Sequence, residues 1–157
     1  LLGKALGGGL LPVSLFLARR EVMKVFTPGD HGSTFGGNPL AAAVGLEALK
    51  VLVEEHLVER AATLGDYLLE KLRGLTNPLI RTVRGRGLLV GIELDTSLVN
   101  ARMACEYLMR AGLLSKETHH TVIRIAPPLV ITERQLDHAV NILRRVFSQL
   151  RRARRAA

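Results

Sequence analysis

Cysteine is almost absent: Cys105 stands alone in 157 residues. An internal disulfide and every multi-cysteine zinc motif are thereby excluded, and a reducing, cytoplasmic setting is the expectation. Tryptophan is missing and only six residues are aromatic, too few for a base-stacking platform. No apolar run reaches the about 18 residues that a membrane span needs. No charged, apolar and small-residue leader pattern opens the chain. Acidic residues are missing after Asp137, where six arginines follow at 144, 145, 151, 152, 154 and 155. Without those six, 16 basic residues face 14 acidic ones, so the net charge of +8 belongs to a tail. Cations there complement a helix dipole, and the expectation is no nucleic-acid and no membrane partner. What is present is a globular balance, 48% hydrophobic and 23% charged.

Residues 1–38 are glycine-rich. The apolar stretch Leu10–Leu17 suits a buried strand with no obvious partner among residues 1–38. Arg19–Val25 could make a helical turn or two, ended by Pro28 and Gly29. Asn38-Pro39 is a helix start, with asparagine as cap and proline at the first position. The Ala-rich helix that follows should reach about Glu55 and pack closely on all sides. Leu57, Ala61, Leu64, Leu68 and Leu72 form the stripe of a second helix, stopped at Gly74. Residues 80–84 and 88–94 read as strands. A helix near 100–111 ends at Gly112, and a third strand spans 121–126. Thr132 and Gln135 form a capping box before a helix with one seam at Leu136, Val140, Leu143, Phe147 and Leu150. The expected organisation is an incomplete first part over 1–38, a linking helix over 39–55, and a compact α+β unit over 56–157.

Four residues stand out chemically. Lys4 lies between apolar residues and Gly7, Gly8 and Gly9. Desolvation would lower its pKa and free a neutral amine for Schiff-base chemistry; the plain alternative is a solvated lysine. Ser33 and Thr34 sit in a Gly-flanked loop before a helix start, where hydroxyls and backbone amides can hold a phosphate or simply cap the helix. Arg124, between Ile123 and Ile125, either faces solvent or grips a carboxylate with its planar fork. His31 could be a base or only a hydrogen-bonding residue. Cys105 shares an apolar helix face with Ala101 and Leu108 and reads as core. His119 and His120 are too close together to chelate one metal well, so no metal site is assigned.

Three segments together resemble a known family. They are Leu2-Gly-Lys-Ala-Leu-Gly-Gly-Gly with Pro12-Val-Ser14, Gly29-Asp-His-Gly-Ser-Thr-Phe-Gly-Gly-Asn-Pro39, and Val122-Ile-Arg-Ile-Ala-Pro-Pro-Leu-Val-Ile131. The chain resembles the C-terminal part of a class III (ornithine-type) aminotransferase, an α/β fold-type I transferase that uses pyridoxal 5'-phosphate. By this resemblance, residues 1–38 end the large cofactor-binding domain and 56–157 form the small C-terminal domain. The ornithine branch is nearer than the acetylornithine branch, because Gly112-Leu-Leu-Ser-Lys-Glu-Thr-His-His is similar to the former. Lys4 then matches the lysine that bonds the cofactor aldehyde and later moves the substrate proton. Thr34, with Ser33 assisting, matches the contact to the cofactor phosphate of the partner subunit, which implies a homodimer. Arg124 matches the arginine that holds a substrate carboxylate. The implied reaction moves the terminal amino group of L-ornithine to 2-oxoglutarate, giving glutamate 5-semialdehyde and glutamate. The family's remaining cofactor residues belong upstream of Lys4. The chain opens on Leu1 rather than Met, so it is expected to be part of something larger, inactive alone and partly unfolded over 1–38. The competing readings are an acetylornithine or other class III enzyme, and an inactive remnant whose basic tail binds an acidic partner.

Overall fold

The computed structural model describes residues 1–155 and divides into two compact units, Leu1–Leu57 and Val58–Ala157.

The first unit is built from turns and one long helix. A 3-10 turn spans Lys4–Gly7, and a four-residue helix, α1, spans Arg20–Met23. Leu2 and Leu15 form an isolated antiparallel bridge, N to O at 2.8 and 2.9 Å. Helix α2, Pro39–Glu54, starts as its sequence dictates. Asn38 Oδ1 accepts from the amides of Leu40 (2.9 Å) and Ala41 (3.2 Å).

Two readings of this unit bear comment. The stretch at 10–17, expected to be one strand of a sheet whose other strands lie upstream, forms no strand within this chain. Only Leu15 pairs, and its partner Leu2 lies within 1–38; Leu10, Phe16 and Leu17 are exposed. An apolar run becomes a strand only where a neighbouring backbone offers a ladder, and here one bridge is all that is offered. Helix α2 does not pack on all sides either. Gly45 is its one buried residue, and Leu40, Leu46, Leu49 and Val53 face outward.

The second unit carries the core. Helix α3 (Leu57–Arg73) is followed by strands β1 (Ile80–Arg86) and β2 (Leu89–Leu94), helix α4 (Ala101–Arg110), strands β3 (Lys116–Thr118) and β4 (Val122–Ile125), and helix α5 (Glu133–Arg155). The four strands form one antiparallel sheet in the order β1-β2-β4-β3. Strand alternation sends Val90, Ile92, Leu94, Ile123 and Ile125 to one face, all buried. They join the helix stripes Leu64, Leu68, Leu72 and Leu136, Val140, Leu143, Phe147, Leu150 in one cluster. Each fully buried leucine or phenylalanine there contributes about 1.5–3 kcal/mol. The capping box forms in both directions. Thr132 N donates to Gln135 Oε1 at 2.9 Å, and Gln135 N to Thr132 Oγ1 at 3.3 Å. Strand β3 was not foreseen, because three polar-flavoured edge residues show no alternation to read.

One close approach fixes helix to sheet. Gly65, in mid-α3, lies against the β1–β2 turn, where a Cβ would sit 2.3 Å from the carbonyl carbon and oxygen of Gly87. Helix propensity alone favours alanine at such a site by about 1 kcal/mol. The backbone clash is larger and rigid, so Gly65→Ala is expected to destabilise the chain by about 1–3 kcal/mol net. Thermal unfolding checks this; an unchanged or raised midpoint would contradict the packing described.

Candidate active site

Lys4 opens the 3-10 turn with a left-handed backbone, φ +52°. That region is uncommon for a residue with a Cβ and costs on the order of 1 kcal/mol. Its side chain is exposed, as the plain alternative of a solvated lysine has it, and not desolvated. The neighbours that would have walled it, Leu1, Leu2 and Leu10, are themselves exposed. The amine is thus accessible, on a backbone held in an unusual conformation.

The 33–38 loop is a pair of turns. Gly36 N donates to Ser33 O (3.1 Å) and Asn38 N to Phe35 O (3.3 Å). Ser33 lines a cleft of about 510 Å3 with Leu6, Val13, Ser14, Phe35 and Gly45, whereas Lys4 and Thr34 are not on its wall. The N-terminus of α2 is already served by Asn38, and Pro39 brings no N–H. An anion at this loop would therefore be met by the hydroxyls and amides of residues 33–37. Upstream, Asp30 caps Thr27, accepting from its amide (2.7 Å) and hydroxyl (2.9 Å). These two donors hold the Asp30 carboxyl below the usual range. His31 is exposed, its ring tilted against Phe26 at 6.3 Å.

Arg124 belongs to the second unit, on the sheet face opposite the buried cluster. It is exposed while Ile123 and Ile125 are buried. Register places it in a cross-strand row with Arg84, Gly91 and Lys116. Arg84 is ion-paired to Glu93, and Lys116 reaches Glu117 at 3.3 Å. Arg124 has no ion pair among the described residues. Like charges directly opposite repel, so the Lys116–Arg124 pair leaves a cationic spot suited to a carboxylate. Gly91 adds no side chain between Arg84 and Arg124.

Sequence reasoning missed the polar ties around this frame. Arg60 donates to three successive carbonyls after β4, those of Leu129 (3.2 Å), Val130 (3.5 Å) and Ile131 (2.6 Å). Arg102 bridges Glu106 (2.8 Å) and Glu117 (3.0 Å). Nothing periodic marks such long-range partners. Cys105 is buried, and desolvation pushes its thiol up, away from reactivity. On the solvent side of α5, Arg144, Arg145 and Arg152 line a shallow groove, and Arg144 donates to Asn141 Oδ1 at 2.6 Å. The side chains of Arg154 and Arg155 lie outside the described residues.

Glu117 titrates at about 2, held down by its own backbone N–H, then by Arg102 and Lys116. A depressed carboxyl stabilises the fold fully above its unfolded value near 4.5 and loses that contribution as pH falls through about 2. Glu117→Gln should therefore be less stable than the parent at neutral pH, with a gap that narrows below about pH 4.5. Urea unfolding across an acid series checks this; a gap independent of pH would contradict it.

Known proteins are similar to this chain in sequence and fold. Residues 1–147 match the family model for aminotransferase class-III. An ornithine aminotransferase of Geobacillus sp. (strain WCH70) is 57% identical over 148 residues, covering 94% of this chain and 36% of the relative. A structure of the ornithine aminotransferase from Toxoplasma gondii superposes with a TM-score of 0.90 at 42% identity, covering 98% of this chain and 37% of that one; it is described as showing partial occupancy of PLP at the active site. An acetylornithine aminotransferase structure from Elizabethkingia anophelis gives 0.84 at 45% identity, over 94% and 39%. The chain thus spans little more than a third of the length of the curated relatives it matches. With the family's sequence carried across nearly all of its length and the family's fold reproduced in its α/β architecture, this chain belongs to the class III aminotransferases.

Proposed function

We propose that this chain supplies the lysine, the phosphate-contacting loop and the carboxylate-binding arginine of a pyridoxal-phosphate-dependent ornithine aminotransferase. The observation that carries the reading is 57% identity to ornithine aminotransferases over 94% of the chain; all four candidate positions fall within the residues that the family model matches. In this reading residues 1–38 complete the large domain, 39–55 link, and 56–157 form the small domain. The parent enzyme is a homodimer in the cytoplasm. None of the described helices is long and apolar enough to cross a membrane.

The residues fit the cofactor. Lys4 presents an accessible primary amine, the group an aldehyde requires. Ser33 and Thr34 offer hydroxyls in a loop with Gly36 and Gly37, whose small size lets backbone amides approach a phosphate. When bound, the cofactor supplies the electron sink that stabilises a carbanion next to the reacting amine. The protein's part is narrower. Lys4 would hold the cofactor through its amine and, once freed from it, would be the group that moves the proton of the substrate carbon bearing the reacting amine. Thr34, with Ser33 assisting, would hold the phosphate of the partner subunit's cofactor. Arg124 orients the 2-oxo acid through its carboxylate in the second half-reaction.

The amine donor is proposed as L-ornithine and the acceptor as 2-oxoglutarate. An acetylornithine donor is the second reading, favoured by the 45% identity to the Elizabethkingia enzyme. A coupled assay on the holoenzyme that carries this chain decides, with ornithine and N-acetylornithine compared as donors. Glutamate 5-semialdehyde from ornithine at the higher kcat/KM supports the proposal. Preference for the acetylated donor overturns the substrate, and no turnover with either supports an inactive remnant.

A further inference from the structure

Gly91 lies inside strand β2, with β1 paired on one side and β4 on the other. Glycine weakens a strand interior and often marks a place where a ligand or another backbone comes close. The backbone does not call for glycine here, because Gly91 is not among the residues with a left-handed φ. A Cβ at position 91 would lie 3.2 Å from Val122 Cγ1, tighter than an ordinary contact, and 3.8 Å from the carbonyl oxygen of Arg84. No other described atom beyond the adjoining residues comes within 4 Å. Past Val122, the position therefore opens onto the sheet face that carries the exposed Arg124.

Arg84, Gly91, Arg124 and Lys116 form one row across that face. Directly opposite residues stand about 5 Å apart, so the two arginines flank position 91 at about 10 Å from each other. Arg84 is drawn diagonally to Glu93, two residues along from Gly91, and Lys116 reaches Glu117. Arg124, with no ion pair among the described residues, is the cation of the row left to meet an anion. The missing side chain at 91 leaves its β2 side unfilled by protein. We infer that Gly91 is a specificity-determining residue for the 2-oxo acid: by lacking a side chain, it keeps open the place from which a carboxylate reaches Arg124. The inference rests on the reading of Arg124 as the carboxylate-binding arginine.

The test separates this role from simple room for Val122. Val122→Ala removes the Cγ1 that a Cβ at 91 would press, so it is made alone and together with Gly91→Leu, in the holoenzyme that carries this chain. Three readouts are taken: the unfolding midpoint, the KM for 2-oxoglutarate, and the single-turnover rate of the ornithine half-reaction. The pair should unfold close to Val122→Ala alone. Its KM for 2-oxoglutarate should stand about tenfold or more above that of Val122→Ala, since a 1 Å misplacement of substrate can cost about 10²-fold. The ornithine half-reaction should stay within about twofold, as expected when one substrate's binding alone is lost. Equal KM in the pair and in Val122→Ala overturns the inference, because Gly91 then serves only to make room for Val122. An ornithine half-reaction slowed as much as the other overturns it too. Gly91→Thr with Val122→Ala is a second pair, whose β-branched side chain suits a strand; where the leucine pair does not fold, its KM decides in the same way. Unchanged KM in Arg124→Gln overturns the reading of Arg124 itself, a separate failure.

Discussion

Lys4→Ala is expected to lower transamination in the holoenzyme by at least ~10³-fold, because it removes both the covalent anchor and the proton-transferring amine. General acid–base catalysis alone is worth about 10²–10⁴-fold. The loss should fall on kcat in both half-reactions, since each needs a proton moved at the substrate carbon that bears the reacting nitrogen. Stability should change little, because Lys4 is exposed. The alanine also inherits the left-handed φ, which sets a cost on the order of 1 kcal/mol that the parent already bears. Steady-state rates with ornithine, measured beside thermal unfolding, separate the two. Parent-like turnover would show that Lys4 is an ordinary solvated lysine.

Arg124→Gln is the second large effect, and it should appear in one substrate only. Truncating one partner of a charge-assisted pair costs about 2–5 kcal/mol, which is roughly thirtyfold or more in affinity. The KM for the 2-oxo acid is expected to rise by at least that factor, with the amine-donor half-reaction nearly unchanged. Arg124→Lys should rescue poorly, because an ammonium cannot form the two parallel bonds of a guanidinium. The fold itself should be unharmed or slightly steadier, since Arg124 stands directly opposite Lys116. A rise in KM for ornithine instead would move Arg124 to the donor carboxylate.

The second unit could be read from sequence because its burial is local and periodic. Leu64, Leu68 and Leu72 recur every fourth residue, and Leu136 to Leu150 alternate fours and threes; all are buried. Caps spelled by Asn38 and Thr132 appear where their side chains can accept backbone amides. The first unit resisted the same reading. Leu10–Leu17 is apolar enough for a strand, yet a strand is a property of two backbones and sequence shows one. Hydrophobicity likewise left open whether Lys4 is desolvated or solvated, because a leucine neighbour walls a charge only if it is itself buried. Arg124 announced itself as the charged residue among isoleucines, while its row with Arg84, Gly91 and Lys116 depends on register, which no single strand reveals. The Gly65–Gly87 approach is of the same kind.

Everything proposed for the site turns on Lys4 being the residue that bonds the cofactor. The direct measurement is to treat the holoenzyme with borohydride, digest it and locate the pyridoxyl group by mass spectrometry. One modified peptide is expected, carrying Lys4, in about one equivalent per chain. Label on a different lysine, or none, would contradict it.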